Sequence, residues 1–249
     1  MSIENAFDIQ SAAILNPTNI AQKIEGFPEV AVATFQDSVI DFVKERPDAE
    51  VIGRMGASQQ KQIYKLEHNY KEIAIWQTMI GGSAAAALLE MMIAKGAKKF
   101  IFFGSCGTLD KSISSGNFIV PTAAYRDEGT SYHYLVASDY VEVKTADKLS
   151  RIMHELKLPH IKAKTWTTDA LFRETKSNML KRKSEGCLAV EMECASIMAV
   201  GQFRDVEVYQ FLFAEDNLDS SEWERRNRIV TMDTREKYLH IALDIASMI

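Results

Sequence analysis

The sequence is poor in residues that interrupt or cross-link a chain. It contains 5 prolines, 12 glycines and 3 cysteines among 249 residues. With so few prolines and glycines, no linker or low-complexity segment is apparent, and we find no internal repeat. We therefore expect a single domain that spans residues 1–249.

The cysteines have neither the number nor the spacing of a disulfide framework or a metal site. Cys106, Cys187 and Cys194 are an odd number, and each lies among small or apolar residues. Buried free thiols of this kind are typical of a reducing compartment. The N-terminus has no basic region followed by an apolar run, so no signal peptide is predicted. We expect a soluble, cytoplasmic protein without a metal site.

Long apolar runs and a basic surface are also lacking. The most apolar stretch, residues 84–94, contains Glu90 and is too short to cross a bilayer. The formal net charge is -5, whereas a nucleic-acid partner would favour a basic face. The sequence therefore predicts neither a membrane nor a nucleic acid as a partner.

What the sequence does contain is a succession of apolar runs and amphipathic stretches. Strands are predicted at residues 30–35, 50–55, 62–67, 72–79, 99–103, 118–125, 161–168 and 207–213. Helices are predicted at residues 38–44, 84–95, 145–156, 176–183, 193–203 and 235–248. The alternation from residue 72 onward is typical of an α/β fold with a largely parallel or mixed sheet. Ligands of such sheets bind at the carboxyl ends of strands.

Local residues predict how some of these elements begin and end. Residues 68–71 are polar and predict a hairpin turn between two strands. Ser83 is expected to cap the helix that follows it, and Gly96 to end that helix. Pro121 is expected to mark a sheet edge or a bend in its strand.

The most unusual stretch places two acids in an apolar segment. Glu191 and Glu193 flank Met192, and the neighbouring residues are apolar. Burying an acid without a hydrogen-bond partner is costly, so each carboxylate should have a donor. Paired carboxylates can cleave a glycoside or bind sugar hydroxyls. Alternatively, either acid lies in the first turn of the following helix, where the helix dipole favours it.

Two polar stretches after predicted strands carry groups that bind anions. The glycines of the sequence Gly-Ser-Cys-Gly-Thr at residues 104–108 would let backbone N–H groups approach an anion. An ordinary turn is the alternative. Arg126 could bind a carboxylate or phosphate through two hydrogen bonds, or pair weakly with Asp127 or Glu128 at the surface.

Two further stretches offer groups to an aromatic ligand. Phe172 could stack on a flat ring, or belong to the core. Asp169 could cap a helix that starts near residue 170. Asp216 follows the last apolar strand, where an acid is well placed for proton transfer, or else it lies in a solvated loop.

Taken together and in this order, the motifs resemble those of the nucleoside phosphorylase family, which includes purine nucleoside phosphorylases, uridine phosphorylases and methylthioadenosine nucleosidases. The motifs that carry the resemblance are Val190-Glu191-Met192-Glu193, Gly104-Ser105-Cys106-Gly107 and Glu215-Asp216-Asn217. The resemblance runs from about residue 73 to the C-terminal helix. It implies a single α/β domain whose central mixed sheet is partly closed into a barrel and flanked by helices.

The resemblance also implies roles at the sugar and at the phosphate. Glu193 would bind the ribose hydroxyls, Met192 would pack under the sugar, and Glu191 would support them from behind. Ser105 and Gly104 would contact phosphate.

At the base, Leu171 and Phe172 fall where the family places an aromatic residue, and Arg173 follows them as a further binding residue. Asp216 falls where purine-cleaving members have an aspartate that protonates or hydrogen-bonds the purine N7. Because uridine phosphorylases typically lack an acid at this place, a purine base is favoured.

Two phosphate-binding arginines of the family have no counterpart. Phe102 and Phe103 occupy the place of the first, and residues 15–18, Leu-Asn-Pro-Thr, replace the N-terminal loop that carries the second. Arg54, Arg126 or Arg173 is expected to take over, from this subunit or a neighbouring one.

The function that the resemblance implies is that of a pentosyltransferase. Phosphate would cleave the N-glycosidic bond of a purine ribonucleoside, giving the free base and ribose 1-phosphate, with phosphate as co-substrate and no cofactor. The family's active sites borrow residues from a second subunit, which implies a homo-oligomer, either a dimer or a hexamer. The alternatives are a uridine phosphorylase, a nucleosidase that uses water, and a non-catalytic nucleoside-binding protein.

Overall fold

The computed structural model describes residues 2–56, 60–113, 116–219, 224–225 and 232–249. In this part of the chain the strands are β1 (Val30–Thr34), β2 (Glu50–Met55), β3 (Lys61–His68), β4 (Lys71–Gln77), β5 (Lys99–Thr108), β6 (Phe118–Asp127), β7 (Tyr140–Glu142), β8 (His160–Thr168), β9 (Cys187–Glu191), β10 (Glu207–Asn217) and β11 (Glu224–Arg225). The α-helices are α1 (Pro17–Ile20), α2 (Asp37–Glu45), α3 (Gly82–Lys95), α4 (Ala146–Glu155), α5 (Lys176–Ser184), α6 (Cys194–Phe203) and α7 (Met232–Met248). Short 3₁₀ helices span Ile3–Asn5, Thr130–His133 and Leu171–Arg173.

The strands form one mixed sheet that closes on itself over part of its width. Its order is β11-β10-β6-β8-β9-β5-β1-β4-β3-β2, and β10 pairs with β5 as well. This additional pairing closes β10, β6, β8, β9 and β5 into a five-stranded barrel. The expected fold, a mixed α/β sheet partly closed into a barrel and flanked by helices, is therefore confirmed.

The core explains why the apolar runs of the sequence become strands. β1 lies between β4 and β5, parallel to both, and all five of its residues are buried. Strands in such a position read as continuous apolar runs because both of their faces are covered. Helix α6 is buried from Cys194 to Gly201 and packs against α3 and β10, which accounts for its almost entirely apolar sequence.

Most of the predicted elements are present, with bounds that differ by a few residues. In the hairpin between β3 and β4, Asn69 and Tyr70 have φ angles of 51° and 60°, as a tight turn requires. Gly96 ends α3 with a φ of 129°. The pairing of β6 with β8 shifts register between Pro121 and Ala124, which confirms the predicted bend.

Three local predictions are wrong. Ser83 lies inside α3, and the N-cap residue is Gly81 with a φ of 103°. The stretch 104–108 is not a turn but the end of β5, because its backbone pairs with β10. Strand β10 itself continues to Asn217, so Asp216 lies in a strand and not in a loop. Tertiary pairing overrides the weak strand propensity of glycine and aspartate here.

The three cysteines are buried free thiols, as predicted. No helix among the described residues has the length and hydropathy needed to cross a membrane.

Candidate active site

A cavity of about 270 Å³ lies where the ends of β5, β9 and β10 meet. This is close to the lower end of the volumes typical of small-molecule sites. The predicted site residues on its walls are Gly104, Ser105, Leu171, Glu191, Met192, Glu193 and Asp216. Residues from four separated parts of the sequence thus converge on one concave surface.

Glu191 faces this cavity, but its carboxylate is bound by its own chain. It accepts hydrogen bonds from the backbone N–H groups of Glu193 (2.8 Å) and Cys194 (2.6 Å) at the start of α6. The hydroxyls of Thr167 (2.6 Å) and Thr165 (3.4 Å) donate to the same carboxylate. Burial raises the pKa of Glu191, and these donors oppose that shift. Glu191 therefore fixes the turn between β9 and α6.

Glu193 is the N-cap residue of α6 and joins that helix to α3. Its Oε1 accepts a 2.7 Å hydrogen bond from the backbone N–H of Gly81, the N-cap residue of α3. The N-terminal ends of α3 and α6 approach closely because Gly82 has no side chain. A Cβ on Gly82 would lie only 2.3 Å from Oγ of Ser196. Burial raises the pKa of Glu193, and the charge of Glu191 raises it further. The Glu193 carboxyl is thus rigidly held at the cavity wall, next to Met192.

The strand end at residues 104–108 leaves space for the cavity. A Cβ on Gly104 would lie 2.9 Å from Cδ2 of Phe35, so only glycine allows that ring to pack there. The Ser105 side chain is exposed at the cavity and offers a hydroxyl. Because the backbone pairs with Leu212 and Phe213 of β10, this segment is not the anion-binding turn that the sequence suggested.

Asp216 reaches the cavity through an irregularity in β10. The register against β5 shifts between Ala214 and Asp216, which places Asp216 opposite Gly107. A Cβ on Gly107 would lie 3.3 Å from Oδ1 of Asp216 and 2.6 Å from Cδ1 of Leu218. The glycine therefore makes room mainly for Leu218, and it also lets the carboxyl of Asp216 pack closely against the strand. The hydroxyl of Thr108 donates a 3.1 Å hydrogen bond to the backbone carbonyl of Asp216 and fixes its position.

The turn after β8 contributes Leu171 and Glu174 to the cavity wall. Residues three apart in a 3₁₀ helix lie on the same side, so the Leu171–Arg173 helix directs both toward the cavity. Phe172 points away and is 95% exposed, and Arg173 is also exposed. The stacking expected of Phe172 and the contact expected of Arg173 are therefore not formed in this cavity. Burial raises the pKa of Glu174 to about 7, and the charge of Asp216 adds to the shift.

Like Arg173, neither Arg54 nor Arg126 lines the cavity, so none of the three arginines expected to bind phosphate is found there. Arg126 is 3% exposed, and its guanidinium donates to Oγ of Ser131 (2.7 Å) and to the carbonyl of Val136 (2.8 Å). It also stacks 3.9 Å from the ring centroid of Tyr132. Its role is therefore to hold the segment after β6 against that strand. Arg54 lies on β2, at the far edge of the sheet, beside Lys44 and Tyr64.

The cavity has a strongly acidic wall. Glu174, Glu191, Glu193 and Asp216 all face it, whereas no lysine or arginine of the described chain lines it. Such a surface stabilises positive charge that develops on a ligand. It does not by itself bind an anion.

Sequence reasoning missed three polar residues of the wall, Gln36, Glu174 and Gln210. Glu174 was visible as an acid in a stretch that had already been singled out. Gln210 is 1% exposed in the middle of β10. A glutamine within an otherwise apolar strand was a usable signal, since buried amides need partners.

The sequence matches the family model of the phosphorylase superfamily over residues 29–244. It is 24% identical over 178 residues to the guanosine phosphorylase of Halorubrum lacusprofundi, which covers 69% of this chain and 70% of that protein. It is 28% identical over 142 residues to the purine nucleoside phosphorylase of Plasmodium falciparum, which covers 55% of this chain and 58% of that protein. The chain thus spans little more than half the length of the second relative.

Solved structures show the same fold at low identity. The purine nucleoside phosphorylase of Toxoplasma gondii in complex with immucillin-H superposes with a TM-score of 0.73 at 16% identity, covering 94% of this chain and 93% of that one. The AMP nucleosidase of Bacteroides thetaiotaomicron superposes with a TM-score of 0.71 at 19% identity, covering 89% and 88%. Since the family model matches most of the sequence and the barrel is that of these enzymes, the chain belongs to the phosphorylase superfamily, a family of phosphorylases and nucleosidases.

Proposed function

We propose that this protein cleaves the N-glycosidic bond of a purine ribonucleoside. The observation that carries the proposal is that Asp216 and Glu193, from different elements, line one cavity. Breaking the bond between C1′ and the base nitrogen leaves positive charge on the ribose and negative charge on the base. An acid at the base and carboxylates beside the sugar both stabilise this separation of charge.

The roles follow from the position of each group. Asp216 donates a proton, or a hydrogen bond, to N7 of the departing purine, so the electron pair of the broken bond stays on the base. Glu193 accepts hydrogen bonds from the ribose hydroxyls, because Gly81 and the start of α6 hold its carboxyl in place. Met192 packs under the sugar, and Leu171 covers the base.

Phosphate is our first candidate for the nucleophile. One of its oxygens bonds to C1′, and the products are the free base and ribose 1-phosphate, with no cofactor. Ser105 offers a hydroxyl to the phosphate. The positive charge needed to bind the phosphate anion must come from residues outside the described wall of this cavity. Arg54 is exposed at the edge strand β2, which suits a residue delivered to a second copy of the chain in a homo-oligomer.

Water is the second candidate, and the acidic wall of the cavity favours it. Four carboxyl groups and no cation among the described wall residues suit an uncharged nucleophile better than phosphate. The products of this reaction are the free base and ribose, and the oxygen that enters at C1′ loses its proton to solvent.

Product analysis distinguishes these reactions. The protein is incubated with inosine, adenosine, guanosine and uridine, with and without inorganic phosphate, and the base and the sugar are quantified. Purine release that requires phosphate and yields ribose 1-phosphate supports the first candidate. Release at an equal rate without phosphate, with free ribose, supports the second. Release of uracil alone would overturn the purine assignment, and release of no base would overturn the function.

A further inference from the structure

Gln210 is a buried amide for which the described residues provide no hydrogen-bond partner. It lies in the middle of β10 and is 1% exposed. Neither Nε2 nor Oε1 has a hydrogen-bond partner among the described residues. Burying an amide in this way costs free energy comparable to that of a lost hydrogen bond, so native proteins rarely leave one unpaired without a reason.

The cavity provides that reason. Trp76, Thr78 and Arg182 also have a buried polar atom without a partner in the described chain, but only Gln210 of this group lines the cavity. Gln210 therefore belongs to the wall of the space that a ligand would enter. Its amide offers two N–H donors and one carbonyl acceptor, and it carries no charge.

The position of Gln210 identifies which part of a ligand it meets. In the ladder between β10 and β5, Gln210 is opposite Phe102, Leu212 is opposite Gly104, and Asp216 is opposite Gly107. Gln210 and Asp216 thus lie toward opposite ends of the same strand pair. The base is placed at the Asp216 end. The Gln210 end is lined by Gly104, where the lack of a side chain leaves room.

We propose that the amide of Gln210 binds the attacking oxygen at the Gly104 end of the cavity. This inference rests on the proposed function, since it assigns a residue to the nucleophile of that reaction. The ligand is either water, whose proton is lost to solvent after attack, or inorganic phosphate, which attacks through an unprotonated oxygen and carries its O–H group on a neighbouring oxygen. Nε2 donates to its lone pair, and Oε1 accepts from its O–H. The Ser105 hydroxyl lines the same cavity and offers a further polar contact.

Two substitutions test the role of the amide. Gln210→Met keeps the approximate volume of the side chain and removes both polar atoms. Because no group among the described residues loses a partner, the melting temperature should stay the same or rise, while kcat/KM for the nucleoside falls by at least about tenfold. Thr78→Val is the matched control, since it also removes an unpartnered buried polar atom but does not line the cavity. That variant should leave both the melting temperature and kcat/KM close to those of the wild type.

Gln210→Glu identifies the source of the oxygen. A carboxylate at this position repels phosphate but still accepts a hydrogen bond from water. If phosphate is the nucleophile, the KM for inorganic phosphate should rise at least about tenfold while the KM for the nucleoside changes little. If water is the nucleophile, cleavage without phosphate should persist in Gln210→Glu and be lost in Gln210→Met.

Each other outcome overturns the inference in a distinct way. A Gln210→Met protein that melts at a lower temperature and retains full kcat/KM would show that the amide is structural. A rise in the KM for the nucleoside alone would place the amide at the substrate and not at the nucleophile. If the wild-type protein cleaves no nucleoside, the proposed function fails first, and the assignment of Gln210 fails with it.

Discussion

The carboxylate of Glu191 accepts a 2.8 Å hydrogen bond from the backbone N–H of Glu193. The two acids of the motif are therefore not equivalent, although the sequence places them symmetrically around Met192. The chain itself supplies four donors to Glu191, and these include the first N–H group of α6. Glu193 is left to face the cavity, with its carboxyl steadied by Gly81.

Glu191→Gln should therefore affect stability first. The amide cannot accept all four hydrogen bonds, and a buried donor left unpaired costs about 1–3 kcal/mol. The melting temperature should fall by roughly 2–12 °C, given that each kcal/mol shifts it by about 2–4 °C in a chain of this size. Differential scanning calorimetry measures the change. Glu155→Gln, which alters an exposed acid on α4, is the control and should melt like the wild type. An unchanged melting temperature in Glu191→Gln would mean that these contacts contribute little.

Glu193→Gln should affect ribose recognition instead. Because burial and the charge of Glu191 raise the pKa of Glu193 to about 8, its carboxyl acts as an uncharged partner at neutral pH. Losing such a hydrogen bond costs about 0.5–1.5 kcal/mol, so kcat/KM for a ribonucleoside should fall by roughly 2- to 12-fold. The 2′-deoxynucleoside lacks one of the hydroxyls, so kcat/KM for that substrate should fall less. Steady-state kinetics with inosine and 2′-deoxyinosine make the comparison. Equal losses for the two substrates would argue against a contact between Glu193 and the 2′-hydroxyl.

The strands and helices that carry this site could be predicted because the buried ones appear in the sequence as apolar runs. β1 reads as a continuous apolar run since it is buried between two parallel neighbours. The acids of the β9–α6 turn were recognisable because carboxylates are rare in apolar surroundings. Asp216 was predicted for a similar reason, as an acid directly after an apolar run.

The direction in which each side chain points could not be predicted in the same way. Leu171 faces the cavity and Phe172 faces solvent because a 3₁₀ turn, which sequence alone does not specify, sets their orientation. Arg126 does not reach the site because its guanidinium donates hydrogen bonds to Ser131 and Val136, in the segment that follows β6. The strand at residues 104–108 depends on pairing with β10, more than 100 residues away, and not on local propensity.

Asp216→Asn should separate catalysis from folding. An amide cannot deliver a proton to N7, and general acid catalysis typically contributes about 10²–10⁴-fold, so kcat for a purine nucleoside should fall by that order. The melting temperature should change little, because the substitution keeps the shape of the side chain. Glu215→Gln alters the neighbouring acid, which does not line the cavity, and serves as the control. Wild-type turnover in Asp216→Asn would remove Asp216 from the mechanism.

Glu174 should make the stability of the protein depend on pH. Its pKa in the folded protein is about 7, raised from an ordinary value of 4.5 by burial and then by the charge of Asp216. Since the folded state holds the proton more tightly than the unfolded state, Glu174 lowers stability progressively as the pH rises from about 4.5 to about 7. Above about pH 7 this loss of stability is complete, and below about pH 4.5 Glu174 causes no loss.

Glu174→Gln removes this ionisation and should therefore melt at a higher temperature than the wild type at pH 8, with a difference that shrinks to near zero at pH 4.5. Thermal unfolding of both proteins across this range measures the effect. For Glu155→Gln, the difference in melting temperature from the wild type should not change with pH, because that side chain is exposed on α4. A level difference for Glu174→Gln would show that the carboxyl is solvated in both states. A wild-type protein that melts above Glu174→Gln at pH 8, with a gap that closes toward pH 4.5, would show that the folded protein favours the carboxylate instead. That result would exclude Glu174 as a proton-bearing group beside Asp216 at neutral pH.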